Sequence, residues 1–115
     1  MTELKCCGGI FQGSTPSLYF NTNADLDADL AAVYITFVQC GVIIFEKDIN
    51  SIEKITDDEQ NKIKVTLTQE ETLMLSSKYD VEVQLRIKYN NDNGAAVVSE
   101  IEQFQIKEVL KYEVI

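Results

Sequence analysis

Apolar and polar positions alternate most cleanly over residues 81–89. Val81, Val83, Leu85, Ile87 and Tyr89 take turns with Glu82, Gln84, Arg86 and Lys88, which predicts a strand with one core face and one wet face. The same period of two runs through Ile63, Val65 and Leu67 and stops at Thr68. There, Thr68 followed by Glu71 fits a capping box, and Gln69, Glu70 and Glu71 open a short helix over residues 69–75. Residues 33–39 (VYITFVQ) are β-branched or aromatic on both faces and predict a central strand. Gly41 interrupts the pattern before residues 42–45 resume it, so Cys40-Gly41 reads as a tight hairpin turn. Ile10-Phe11 and Leu18 with Phe20 predict earlier strand segments. Pro16, the one proline, belongs at an edge or a bend. Residues 46–50 read as a polar bend, Ile52 and Ile55 as a short edge strand, and residues 56–61 and 90–94 as turns rich in Asp and Asn.

The last strand changes phase. Val97 and Ile101 fall on one face, Phe104 and Ile106 on the other, which predicts a β-bulge near Glu102-Gln103. The segment that follows, EVLKYEVI, is apolar at Val109, Leu110, Tyr112, Val114 and Ile115. It reads either as a final strand or docked terminus, or as a contact to another subunit, because so apolar an exposed segment is unusual. About seven short strands and one helix, spaced by turns, predict an all-β chain with the architecture of an immunoglobulin-like (Greek-key) β-sandwich. The expected organisation is a flexible lead-in over residues 1–9, with Gly8-Gly9 as a joint, and a single domain over residues 10–115.

Composition narrows the function. A chain of 115 residues is one domain by size and needs no disulfide or metal to fold. The net charge of −9 and scattered basic residues argue against nucleic acid. No apolar run approaches the roughly 20 residues of a membrane span, and the amino-terminal residues make a poor signal peptide. Three cysteines, Cys6, Cys7 and Cys40, form an odd set, and histidine is absent. Neither a disulfide framework nor a structural zinc site is therefore expected. Cys40, at a strand end, reads as a small core residue. Asp25, Asp27 and Asp29 resemble the start of a calcium loop, but Leu30 stands where the loop needs glycine and Thr36 where it needs a bidentate glutamate. Ser14, Thr15 and the cysteines have no evident base partner, and Gly13-Ser14-Thr15 lacks the lysine and the spacing of a phosphate loop. Neither catalysis nor a cofactor is expected.

The motifs GSTPSL (13–18), VYITF (33–37), VTLTQEETL (65–73), VEVQLR (81–86) and EVL (108–110) occur in an order and spacing that carry a resemblance. The chain resembles small immunoglobulin-like proteins encoded in the structural gene clusters of tailed phages and prophages of Gram-positive bacteria. It is similar to the amino-terminal domain of the phage baseplate upper protein. The resemblance implies a tail- or baseplate-associated virion component. Such a component would reside in the bacterial host cytoplasm before assembly and in the virion afterwards. Its partners would be other phage structural proteins or copies of itself, and the resemblance brings no catalytic residue with it. The alternative is a binding module for a host-surface ligand such as carbohydrate. That reading expects an exposed aromatic cluster drawn from Tyr19, Tyr34, Tyr79 and Tyr89.

Overall fold

The computed structural model of the chain describes residues 3–5 (backbone), 10–26, 29–56, 61–90, 94–99 and 101–115. The strands are β1 (Glu3–Lys5), β2 (Ile10–Phe11), β3 (Ser17–Thr22), β4 (Leu30–Gln39), β5 (Val42–Asp48), β6 (Ile52–Ile55), β7 (Asn61–Thr66), β8 (Val81–Tyr89), β9 (Ala96–Val98), β10 (Glu102–Phe104) and β11 (Ile106–Lys107). One helix, α1 (Gln69–Met74), joins β7 to β8, and a 3-10 turn over Ile49–Ser51 joins β5 to β6. The fold is all-β, and among the described residues helical structure is confined to these two short connections.

The strands form two main sheets. One runs β1-β3-β7-β6, and the other runs β10-β8-β4-β5 with β9 also on β8. Antiparallel register sets Leu18 opposite Val65 and Phe20 opposite Ile63 in the first sheet. In the second, Val33 faces Ile87, Ile35 faces Leu85 and Phe37 faces Val83. Because alternate residues of a strand share a face, each sheet presents one continuous apolar surface. Both surfaces are buried in a single core cluster, where each large side chain contributes about 1.5–3 kcal/mol of hydrophobic stabilisation. Phe37 stacks on Phe45 with ring centroids 4.6 Å apart. A short parallel pair, β2 with β11, lies outside the two sheets and brings Ile10 opposite Ile106.

Several sequence-based expectations need correction. The strands number eleven rather than about seven among the described residues, since the first and last strands are split into short pieces. Within the lead-in expected over residues 1–9, Glu3–Lys5 pair with β3; Cys6, Cys7, Gly8 and Gly9 lie outside the described residues. The bend predicted over residues 46–50 falls later: residues 46–48 still belong to β5, and the chain turns at Ile49–Ser51. Asp48 caps that turn by accepting a hydrogen bond from the Asn50 amide at 3.0 Å. Cys40 is exposed rather than core, because with Gly41 it makes the hairpin turn, at φ 53 and 77 respectively. Positive φ at both central positions is what this kind of two-residue hairpin requires.

The phase change in the last strand is present, three or so residues before Glu102-Gln103. Arg86 pairs with Val98 but Val83 pairs with Glu102, so the register slips by one residue between β9 and β10. The slip lets Val97 and Phe104, an odd number of residues apart, both turn toward the core side. Ser99 closes the gap. Its amide donates to the Leu85 carbonyl at 2.9 Å, and its hydroxyl accepts from the Leu85 amide at 2.9 Å.

Candidate functional site

Hydrogen bonds tie helix α1 to residues 10–14 and to residues 108–115. The helix starts where the sequence places it. The Thr68 hydroxyl accepts from the Glu71 amide at 3.1 Å, and the Glu71 carboxylate accepts from the Thr68 amide at 2.8 Å, closing the capping box. The same carboxylate meets Lys47 Nζ at 2.5 Å, with both side chains mostly buried, so β5 is tied to the helix start.

Three buried polar side chains then fix α1 against its surroundings. Thr72 Oγ1 accepts from the Gly13 amide at 2.9 Å and lies 2.9 Å from the Ser14 carbonyl, to which it donates. Gln12 Nε2 donates to the Leu75 carbonyl at 2.7 Å, and Gln12 Oε1 accepts from the Val109 amide. Gln39 Nε2 donates to the Ser76 and Tyr79 carbonyls at 2.8 and 3.0 Å, while its Oε1 accepts from the Ser76 amide at 2.8 Å. The two glutamine amides thus partner the backbone of the chain leaving α1, at its C-cap Leu75 and in the connection beyond it. None of the three was singled out from the sequence. The available signal was position: Gln39 occupies the inward phase set by Val33, Ile35 and Phe37, where a polar residue must find partners.

Val109, Leu110, Tyr112, Val114 and Ile115 belong to neither sheet. The segment is held to α1 through polar atoms: the Tyr112 hydroxyl donates to the Leu73 carbonyl, and the Ile115 amide donates to Gln69 Oε1 at 2.8 Å. Its apolar groups face outward. Val109 is half-buried, Leu110 is fully exposed, and Tyr112, Val114 and Ile115 are 62 %, 51 % and 85 % exposed. Beside Val114 a shallow groove of about 440 Å³ runs between Thr15, Thr68, Gln69 and Glu70. The segment is thus docked by its backbone and tyrosine hydroxyl while an apolar ridge points at solvent.

Other candidate residues do not converge. Tyr19 lies on the outer face of one sheet and Tyr34 on that of the other. Tyr79 precedes β8, and Tyr89 sits at the far end of that strand, where its hydroxyl accepts from the Asp25 amide at 2.9 Å. Asp25 and Asp29 are exposed, and Asp27 lies outside the described residues. Among the described residues no group of three or more Cys, Asp or Glu side chains is placed to hold a metal ion. No helix among them is long and apolar enough to cross a membrane. No protein-family model matches the chain, and no curated protein matches it as a relative.

Proposed function

We propose that this chain is a structural component of a phage or prophage virion, associated with the tail or baseplate, that acts through protein–protein assembly contacts. The fold proposed with it is an immunoglobulin-like Greek-key sandwich. The strand orders β1-β3-β7-β6 and β10-β8-β4-β5 support that reading, with β5 taken as an added strand at one edge. The motif order that resembles phage structural proteins supports the assignment.

The observation that carries the assembly role is the apolar ridge of Leu110, Tyr112, Val114 and Ile115, exposed on a segment that hydrogen bonds tie to α1. Exposed apolar surface of this kind is a contact surface in waiting, since burying it against a copy or a neighbouring virion protein gains hydrophobic free energy. Partners are other virion proteins or copies of the chain, met in the host cytoplasm and retained in the virion. The scattering of the four tyrosines gives no support to a carbohydrate-binding face. Light scattering on the full chain and on a truncation after Lys107 tests the role. Weaker association on truncation is expected, and two equally monomeric, equally stable proteins would remove the self-association role.

A further inference from the structure

On the outer face of the sheet β10-β8-β4-β5 one row sets a tyrosine between charges of opposite sign. Register fixes the layout. Tyr34 on β4 lies directly opposite Arg86 on β8 and directly opposite Asp48 on β5. The three side chains therefore stand in one row on one face, all exposed. Strands about 4.8 Å apart leave Arg86 and Asp48 roughly 10 Å from each other, on either side of the tyrosine and beyond pairing distance. Among the described residues neither forms an ion pair. In the next row outward on this face, Thr36 stands between Gln84 and Glu46, and after it Val38 stands between Glu82 and Ile43. Val98 flanks Arg86, and Ile101 edges a small hollow beside Val38; both are more than half exposed.

We infer that this face is a two-fold interface with a second copy of the chain. The pattern is self-complementary about an axis running along β4. Rotation about that axis sets Tyr34 on Tyr34 of the second copy, Arg86 on its Asp48, and Gln84 on its Glu46. The Tyr34 and Thr36 rows thus match their own images, as an isologous contact requires, while the Val38 row sets Glu82 over Ile43 at the margin of the patch. Two sheets stacked about 10 Å apart leave room for these side chains to interdigitate. The net charge of −9 opposes association at long range. At physiological salt, where the Debye length is about 8 Å, that repulsion is screened while the cross-face contacts are not. This interface is separate from residues 108–115 and does not depend on them.

Charge reversal tests it on the full chain. Fluorescently labelled Arg86→Asp protein is titrated with unlabelled Arg86→Asp and, separately, with unlabelled Asp48→Arg, and binding is read by anisotropy. In the first pair two like-charge contacts face each other. In the second, both reversed contacts are matched. The mixed pair should bind roughly 10–100-fold more tightly than the like pair, and its affinity should return toward that of the wild-type chain. Both residues are exposed, and rescue by mixing requires two folded proteins. Contacts through residues 108–115 contribute equally to both titrations, so their failure or success leaves the comparison intact. Equal affinity in the two pairs, or a wild-type chain that stays monomeric, overturns the inference.

Discussion

Gln39 and Ser76 hydrogen-bond to each other in both directions. The Ser76 amide donates to Gln39 Oε1 at 2.8 Å, and Gln39 Nε2 donates to the Ser76 carbonyl at 2.8 Å. A side-chain amide here completes the backbone ladder of a connection that has no strand neighbour. Gln39→Leu fills the same space but leaves the Ser76 amide and the Ser76 and Tyr79 carbonyls without partners. A buried group left unmade costs about 1–3 kcal/mol, and because these groups are part-buried and water reaches some of them, the variant should lose about 1–3 kcal/mol in all. Urea unfolding should show a lower midpoint with an unchanged slope.

Thr72 makes a sharper comparison, because Val and Ser divide its two roles. Thr72→Val keeps the shape but strands the Gly13 amide and the Ser14 carbonyl, whereas Thr72→Ser keeps the hydroxyl and loses a methyl group. Val should cost about 1–3 kcal/mol. Ser should cost about 1 kcal/mol, near the value of one buried methylene. If Ser proved the worse of the two, packing rather than hydrogen bonding would be what Thr72 supplies.

The capping box and the Lys47 pair can be separated in the same way. Thr68→Ala should lose about 1 kcal/mol and Thr68→Ser little. Glu71→Gln retains an acceptor for the Thr68 amide but removes the charge facing Lys47. It should therefore be destabilised, and Lys47→Met added to it should cost less than Lys47→Met alone, which a double-mutant cycle of unfolding free energies measures.

Surface variants of the ridge should behave oppositely. Leu110 and Ile115 make no side-chain contribution to the core, so Leu110→Ser with Ile115→Ser should change stability by no more than about 0.5 kcal/mol. The same pair should reduce association. A large loss of stability would show that these side chains pack in solution.

Local features were legible in the sequence and distant pairings were not. The nine residues of β8 and the cap at Thr68 depend on neighbours a few positions away, and both stand where the pattern predicts them. The Cys40-Gly41 turn was equally legible, yet the side chain of Cys40 was misplaced, because a strand end and a turn differ in one φ angle. The contact of Gln12 with Val109 joins residues 97 positions apart. No periodicity encodes such a pairing, and the parallel match of β2 with β11 is hidden for the same reason. The bulge was signalled by its phase change, but its position depends on where Ser99 can return both hydrogen bonds to Leu85. Of the candidate site, the apolar positions of residues 109–115 were readable, and their polar docking on α1 was not.

The central claim is that the ridge on residues 108–115 is an assembly contact. Its most direct measurement is light scattering over a concentration series in an Arg86→Asp background, where the sheet face does not contribute. The Arg86→Asp chain should gain mass with concentration, and adding Leu110→Ser and Ile115→Ser should remove the gain. Equal, concentration-independent monomer mass for both proteins would contradict it.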